Sequence, residues 1–234
     1  MNSMVELGAL VCCASWLVAY ALMIRQAEID RVPAMPLVPL SLNLAWELVF
    51  GFVLPDPTFP MAWINRAWFV VDLVLLAQML RFGRAEMTTL VPRRWFAPAV
   101  LTSVALAFGA ILTFTLDLED WGGSYTGWGD QAVNSIAFLF MLTRRRSSRG
   151  QSLYIVLFRS LGTLPLIPFE LTVSPDSLFI RFTFVAFVLV DAIYAVLLHR
   201  QCVAEGRDPW ALRATTPALA TVAPAPARPS LAAP

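Results

Sequence analysis

The chain has 234 residues, 58% of them hydrophobic and 14% charged, with a formal net charge of +1 and a mean hydropathy of +0.67. A soluble domain carries roughly 25% charged residues, so this composition excludes an ordinary globular protein and points to one polytopic, integral membrane domain. The near-neutral charge, with no basic stripe interleaved with aromatics, argues against a nucleic-acid partner.

A membrane-crossing helix needs about 20 mostly apolar residues. Seven candidate spans follow in chain order: 5–24, 37–54, 63–80, 95–116, 127–143, 151–170 and 177–198. The expected fold is therefore all-α, a seven-helix transmembrane bundle over residues 1–200. The N-terminus lacks the charged start and cleavage site of a signal peptide, so the run beginning MVELGALVCC reads as a retained first span. The second and third spans are short and separated by the Pro-rich VLPDPTFPM. The fifth is the weakest, opening with GWGDQAVNSIA but closing sharply at AFLFMLTRRR. Residues 201–234 read as a cytoplasmic tail, Ala/Pro-rich and disordered from Thr215 onward.

Charge sets the orientation. All the basic charge is Arg; there is no Lys. Arg25 and Arg31, then Arg81, Arg84, Arg93 and Arg94, then Arg144, Arg145, Arg146 and Arg149, then Arg200, Arg207, Arg213 and Arg228 fall on alternate loops. The opposite loops carry Asp56, Asp117, Glu119, Asp120 and Asp176. The positive-inside rule then places the N-terminus outside and the C-terminus in the cytoplasm. Three cysteines, Cys12, Cys13 and Cys202, have no metal-ligand spacing. The first two read as core or lipid-facing residues and the third as a free thiol.

Three acidic side chains lie inside these spans: Glu47, Asp72 and Asp191. An ionisable group in hydrocarbon is costly and usually faces a protein interior with a function. A carboxyl in apolar surroundings keeps its proton and can act as a general acid. Asn43 lies four residues before Glu47 on the same helix face and can orient it; Trp46 adjoins the pair. Tyr194 lies three residues after Asp191, which marginally favours Asp191 as the proton donor. Asn134 and Arg159 are further intramembrane polar groups, and Arg159 can pair with Asp72 or Asp191. Such a pairing would take that carboxylate out of acid duty. Glu170 and Arg181 read as interfacial or as an ion pair. Trp63, Trp68, Trp95, Trp121 and Trp128 fall near span ends, where aromatic belts form. The three carboxyls are expected to point into one largely apolar void.

Four stretches carry a resemblance: NLAWE at 43–47, WFVVD at 68–72, RSLGT at 159–163 and FVLVDAIY at 187–194. With them the chain resembles the integral-membrane terpene cyclases of fungal meroterpenoid pathways and their bacterial indole-sesquiterpenoid relatives. The resemblance implies a protonation-initiated cyclase that closes rings on a linear, farnesyl-type chain attached to a larger head group. Its catalytic residues would be Glu47, Asp191 and Asp72. The substrate cavity would be lined by Asn43, Trp46, Trp68, Asn134, Arg159, Phe187 and Tyr194. It implies a hydrophobic prenylated substrate, the lipid bilayer as surroundings and no cofactor or metal. The last point agrees with the lack of a DDxxD-type aspartate cluster, and His199 is the single histidine. The expected location is a membrane, the cytoplasmic membrane of a bacterium. A retinal protein is excluded, because its Schiff base needs a Lys. A proton-coupled solute transporter is the main alternative, and a non-catalytic membrane scaffold a further one.

Overall fold

The computed structural model describes residues 3–55, 61–87 and 91–212, with side chains from residue 7 onward. Helix α1 spans Ser3–Asp30 and α2 spans Leu37–Leu48, running on through a π-helical turn, Val49–Val53. Helix α3 spans Met61–Phe82, and the short α4 spans Arg84–Met87. Helix α5 spans Phe96–Asp117, α6 Ser124–Arg145, α7 Leu153–Thr163, α8 Ile167–Val173 and α9 Leu178–Ala204. No strand occurs among the described residues.

Five segments are long and apolar enough to cross a membrane: Leu7–Asp30, Met61–Phe82, Arg93–Asp117, Leu153–Val173 and Leu178–Ala204. Leu37–Val53 is apolar but shorter. Helix α6 falls outside this set because its first half carries Asp130, Gln131 and Asn134. By length and composition the expected seven spans are thus met at five. Large side chains such as Leu106 (70% exposed) and Phe182 (68% exposed) cover the outer surface of the bundle. A soluble monomer does not present so much exposed apolar surface; this one faces lipid.

The inner faces follow helical spacing. In α9, Ile180, Thr183, Phe184, Phe187, Asp191, Tyr194, Leu198 and Cys202 are buried, most of them three or four residues apart. That stripe packs mainly on α6, while α1 packs on α7 and α2 on α5 and α3. Lipid tails are as apolar as Leu, so such helices associate by close fit. Gly162 shows this: a Cβ there would lie 2.6 Å from Trp16 Cδ1, so α7 reaches α1 only because the residue is glycine. Ser152 and Ser177 cap α7 and α9 by accepting from the amides of Tyr154 and Ile180, both at 3.3 Å. Pro165 and Pro168 divide α7 from α8 through a 3₁₀ turn, Leu164–Leu166, because proline brings no amide hydrogen to an α-helix.

The two ends of the bundle differ. The Arg-rich end is filled by one core that includes Met23, Leu40, Leu75, Val100, Phe138 and Leu198. The opposite end is hollow. At the filled end α9 continues to Ala204, so the boundary expected at residue 200 falls inside a helix. Arg207 is buried there: Nη2 lies 3.2 Å from Asp30 Oδ1, and Nη1 donates to Ser148 Oγ at 2.7 Å. The Gly150 amide donates to Asp30 Oδ2 at 2.7 Å. Residues 205–212 are therefore fastened to the bundle. The tail expected from Thr215 onward lies outside the described residues.

Candidate active site

The hollow end holds a cavity of about 470 Å³ between α1, α2, α3, α6 and the α7–α8 junction. This is within the ~300–1,000 Å³ of small-molecule sites. Its walls are mainly aromatic and apolar, with Trp16, Trp46, Trp68, Trp128 and Phe169 prominent. Gly122, Gly123, Glu170 and Val173 place its mouth at the loops poor in Arg.

Trp46 is held from two sides. Its indole nitrogen donates to Thr126 Oγ1 at 3.2 Å, and its ring lies 4.8 Å from that of Phe50. Thr126 in turn donates to Asp120, which also accepts the Tyr125 and Thr126 amides and so caps the start of α6. Gly123 makes this fit possible. Its φ is +68°, and a Cβ there would lie 2.8 Å from the Trp46 ring.

The polar groups gather on one wall. Glu47 is 2% exposed and lines the cavity. Its Oε1 lies 3.2 Å from the Tyr20 hydroxyl, and its Oε2 has no protein partner. Asn43 is 2.9 Å from that same hydroxyl through its side-chain amide. With the Asn43 nitrogen turned the other way, it donates to Asp130 Oδ2 at 2.7 Å and to the Pro39 carbonyl at 3.3 Å, while its oxygen accepts from Tyr20. That orientation satisfies both ends of the amide; the reverse sets its oxygen against a carboxylate. Asp72 joins from α3, fully buried and in polar contact with Glu47, Tyr20 and Asn43. Trp68 Nε1, Asp130 Oδ1, Gln131 Nε2 and Asn134 Oδ1 are likewise buried without a partner, all on cavity-lining residues.

Of the residues expected at the site, Asn43, Trp46, Glu47, Trp68 and Asn134 line this cavity. Asp72 stands directly behind Glu47. Asp191, Arg159, Phe187 and Tyr194 do not line it, which corrects the expectation of one void shared by three carboxyls. Asp191 turns toward α7, where Oδ1 lies 3.3 Å from Arg159 Nη2 and Oδ2 accepts from Ser160 Oγ at 3.1 Å. The reason is electrostatic: a buried guanidinium one helix away captures the carboxylate. Arg159 also lies over the Phe138 ring at 4.2 Å. Tyr194 donates to Gln151 Oε1 at 2.9 Å rather than to Asp191, and Phe187 packs 6.3 Å from Trp128.

Other expectations shift as well. Trp128 is 6% exposed and belongs to the cavity, whereas Trp63, Trp95 and Trp121 are exposed. Cys12 and Cys13 line the cavity, and Cys202 is buried on α9. Arg181 donates to the Pro175 carbonyl, so it does not pair with Glu170; Glu170 is buried at the cavity mouth with only a 3.5 Å contact from Ser174. Tyr20 and Asp130 are site residues that sequence reasoning missed. Their signals were present. Gly127, Asp130, Gln131 and Asn134 share one helix face, and Tyr20 lies on the stripe of Cys12, Ala19 and Met23.

Residues 1–201 match the family model for Pyr4-like transmembrane terpene cyclases. Among curated proteins the chain is 34% identical over 199 residues to the terpene cyclase olcD of Penicillium canescens, covering 80% of this chain and 81% of that one. It is 32% identical over 165 residues to the Pyr4-family terpene cyclase mfmH of Annulohypoxylon moriforme, covering 68% and 67%. It is 28% identical over 166 residues to the terpene cyclase ausL of Emericella nidulans, covering 69% and 81%. These relatives are fungal and lend no support to a bacterial source. No solved structure matches the chain. The family match over most of its length, with helices apolar enough to cross a membrane, makes this chain a member of the Pyr4-like transmembrane terpene cyclase family.

Proposed function

We propose that the protein closes rings on a linear prenyl chain carried by a larger head group, beginning with proton transfer from Glu47. The observation that carries this reading is the Glu47 carboxyl itself. One oxygen is held at the Tyr20 hydroxyl, the other has no protein partner, and the group sits on the wall of an aromatic cavity. The Glu47 O–H gives its proton to the terminal epoxide oxygen or olefin carbon. The developing cation is attacked by the next double bond, forming a carbon–carbon bond and passing the charge along the chain. Trp46, Trp68 and Trp128 stabilise that charge with their ring faces. A carboxylate or the head group removes the final proton, so the product is an isomer of the substrate. Apolar walls exclude water, which would otherwise quench the cation. The prenyl terminus lies inward at Glu47, and the head group lies at the mouth, where Glu170 offers acceptor oxygens. Asp191 acts at a remove, as the counter-ion that anchors Arg159.

In the membrane this reading takes the seven helical rods as seven crossings. The sixth is α7 and α8 together, and α2 crosses with its π turn. The N-terminus lies outside and the C-terminus in the cytoplasm, supported by the alternation of Arg between loops. The catalytic unit is the bundle of residues 1–200, with residues 201–212 bound to it. The transporter reading is not favoured. The cavity lies toward the Arg-poor loops and the other end of the bundle is filled by core, whereas alternating access needs a passage that can open to either side.

The test uses membranes holding E47Q, incubated with farnesylated or epoxyfarnesylated aromatic compounds. The amide keeps volume and hydrogen bonding but offers no acidic proton. Cyclised product should fall by about 10²-fold or more, the lower bound for general acid catalysis, with substrate binding retained. Near-normal cyclisation by E47Q would refute the assignment.

A further inference from the structure

Asp130 is a buried carboxylate on the cavity wall that the mechanism above does not use. Its position beside Asn43 gives it a role at a distance. Four groups form a line: Asp130 Oδ2, the Asn43 amide, the Tyr20 hydroxyl and Glu47 Oε1, with successive separations of 2.7, 2.9 and 3.2 Å. They come from α6, α2 and α1, so the line ties three helices at the cavity.

We propose that Asp130 is a positioning residue that fixes the direction of this hydrogen-bond line and so keeps the transferable proton on Glu47. The Pro39 carbonyl can only accept, and it lies 3.3 Å from the nitrogen side of Asn43. Asp130 Oδ2, 2.7 Å from the same nitrogen, accepts beside it. The Asn43 oxygen is thereby turned to Tyr20, whose single hydroxyl proton is given to it. The Tyr20 oxygen then presents lone pairs to Glu47 Oε1. Two acceptors cannot share that 3.2 Å contact, so the proton there belongs to Glu47. With Asn43 turned over, its nitrogen would donate to Tyr20, Tyr20 would donate to Glu47, and the contact would suit an ionised Glu47 that has nothing to give. The state of the line thus separates a loaded acid from a spent one. Asp72 also faces Glu47, Tyr20 and Asn43, from α3.

This inference rests on Glu47 as the acid, and the experiment separates the two. Full-length protein in nanodiscs is assayed for kcat and KM, and its protonated-carboxyl C=O stretching band is recorded by infrared difference spectroscopy. E47Q identifies the band of Glu47. D130L removes the acceptor while keeping the same branched skeleton, whereas D130N retains an acceptor oxygen for the Asn43 nitrogen. The expectation is that D130L loses the Glu47 band and lowers kcat roughly tenfold or more, with KM little changed, while D130N keeps the band and most of kcat. A D130L protein that retains both band and kcat overturns the proposal. So does a D130N protein that folds but is as inactive as E47Q, since the charge itself would then be in use. If D130L fails to fold, Y20F reads the same line from its other end: loss of the band supports the proposal, and a wild-type band overturns it. An E47Q protein that still cyclises would instead sink the proposed function.

Discussion

The placement of Asp191 away from the cavity yields a quantitative prediction. Its partner Arg159 is fully buried and has little other company: Ser135 Oγ at 3.4 Å, the Phe138 ring, and two nitrogens with no partner, Nε and Nη1. D191A therefore strands a guanidinium in the bundle. Breaking a buried pair from one side costs about 3–5 kcal/mol. At roughly 2–4 °C per kcal/mol for a chain of this size, unfolding should fall by about 6–20 °C. D191N is milder. Its oxygen still accepts from Arg159, and its nitrogen can donate to Ser160 Oγ, so only the charge is lost. Its cost is closer to one charged hydrogen bond, ~1.5–3 kcal/mol. The assay is thermal unfolding in nanodiscs, followed by cyclisation at saturating substrate below each variant's transition. Activity should rank as stability does, with D191N within about tenfold of wild type. If D191N unfolds close to wild type but loses ~10²-fold or more in cyclisation, Asp191 is itself an acid in the reaction and this reasoning fails.

G162A should destabilise the bundle by about 1–3 kcal/mol, since its methyl meets Trp16 and the Cys12 carbonyl. G109A meets nothing within 4 Å and should be neutral or stabilising by up to about 1 kcal/mol in the same unfolding assay. In sealed cells D117C should react with an impermeant thiol reagent and R144C should not, both positions being exposed at opposite ends of the bundle; the reverse would invert the proposed orientation. E170L should raise KM for substrates whose head group carries a hydrogen-bond donor and leave kcat little changed; an equal loss of kcat would place Glu170 nearer the reacting end. Partial burial pushes the Glu205 carboxyl up, but hydrogen bonds from Ser148 and Gln201 outweigh it and hold it below its ordinary value. A lowered folded-state value means the contribution is full above about pH 4.3 and lost as pH falls through the folded-state value. E205Q should flatten that part of the acid limb of unfolding temperature against pH, and an unchanged limb would refute it.

What could be read from sequence, and what could not, follows from the geometry of helices. Span positions were legible because a helix facing lipid must be apolar over a set length. The pairing of Asn43 with Glu47 was legible because both lie on one helix, where four residues make one turn. The positions of Asp72 and Asp191 along their helices were likewise available. Azimuth was not: whether Asp191 turns toward the cavity or toward Arg159 depends on how α9 is rotated against α6 and α7, and spacing within one helix carries no record of that. Tyr194 illustrates the same gap, lying on the expected side of α9 yet meeting Gln151. Asp130 was hidden for another reason. It lies in the most polar helix, where a carboxylate looks like an interfacial residue until Asn43 is brought against it.

The knot at the Arg-rich end joins Asp30 with Gly150 and Arg207, far apart in the sequence, and this has a consequence for how the protein is made. Asp30 closes α1, whereas its partners Gly150 and Arg207 are synthesised more than a hundred residues later. The main packing partner of α1, helix α7, is equally late. Until then α1 has α3 as its packing partner and Gln26, on its own last turn, as the donor to Asp30. Gly150 and Arg207 therefore close on α1 late, and a chain cut short before residue 207 leaves Asp30 without its guanidinium. The knot works as a check that synthesis has passed residue 207: a shorter chain cannot tie it.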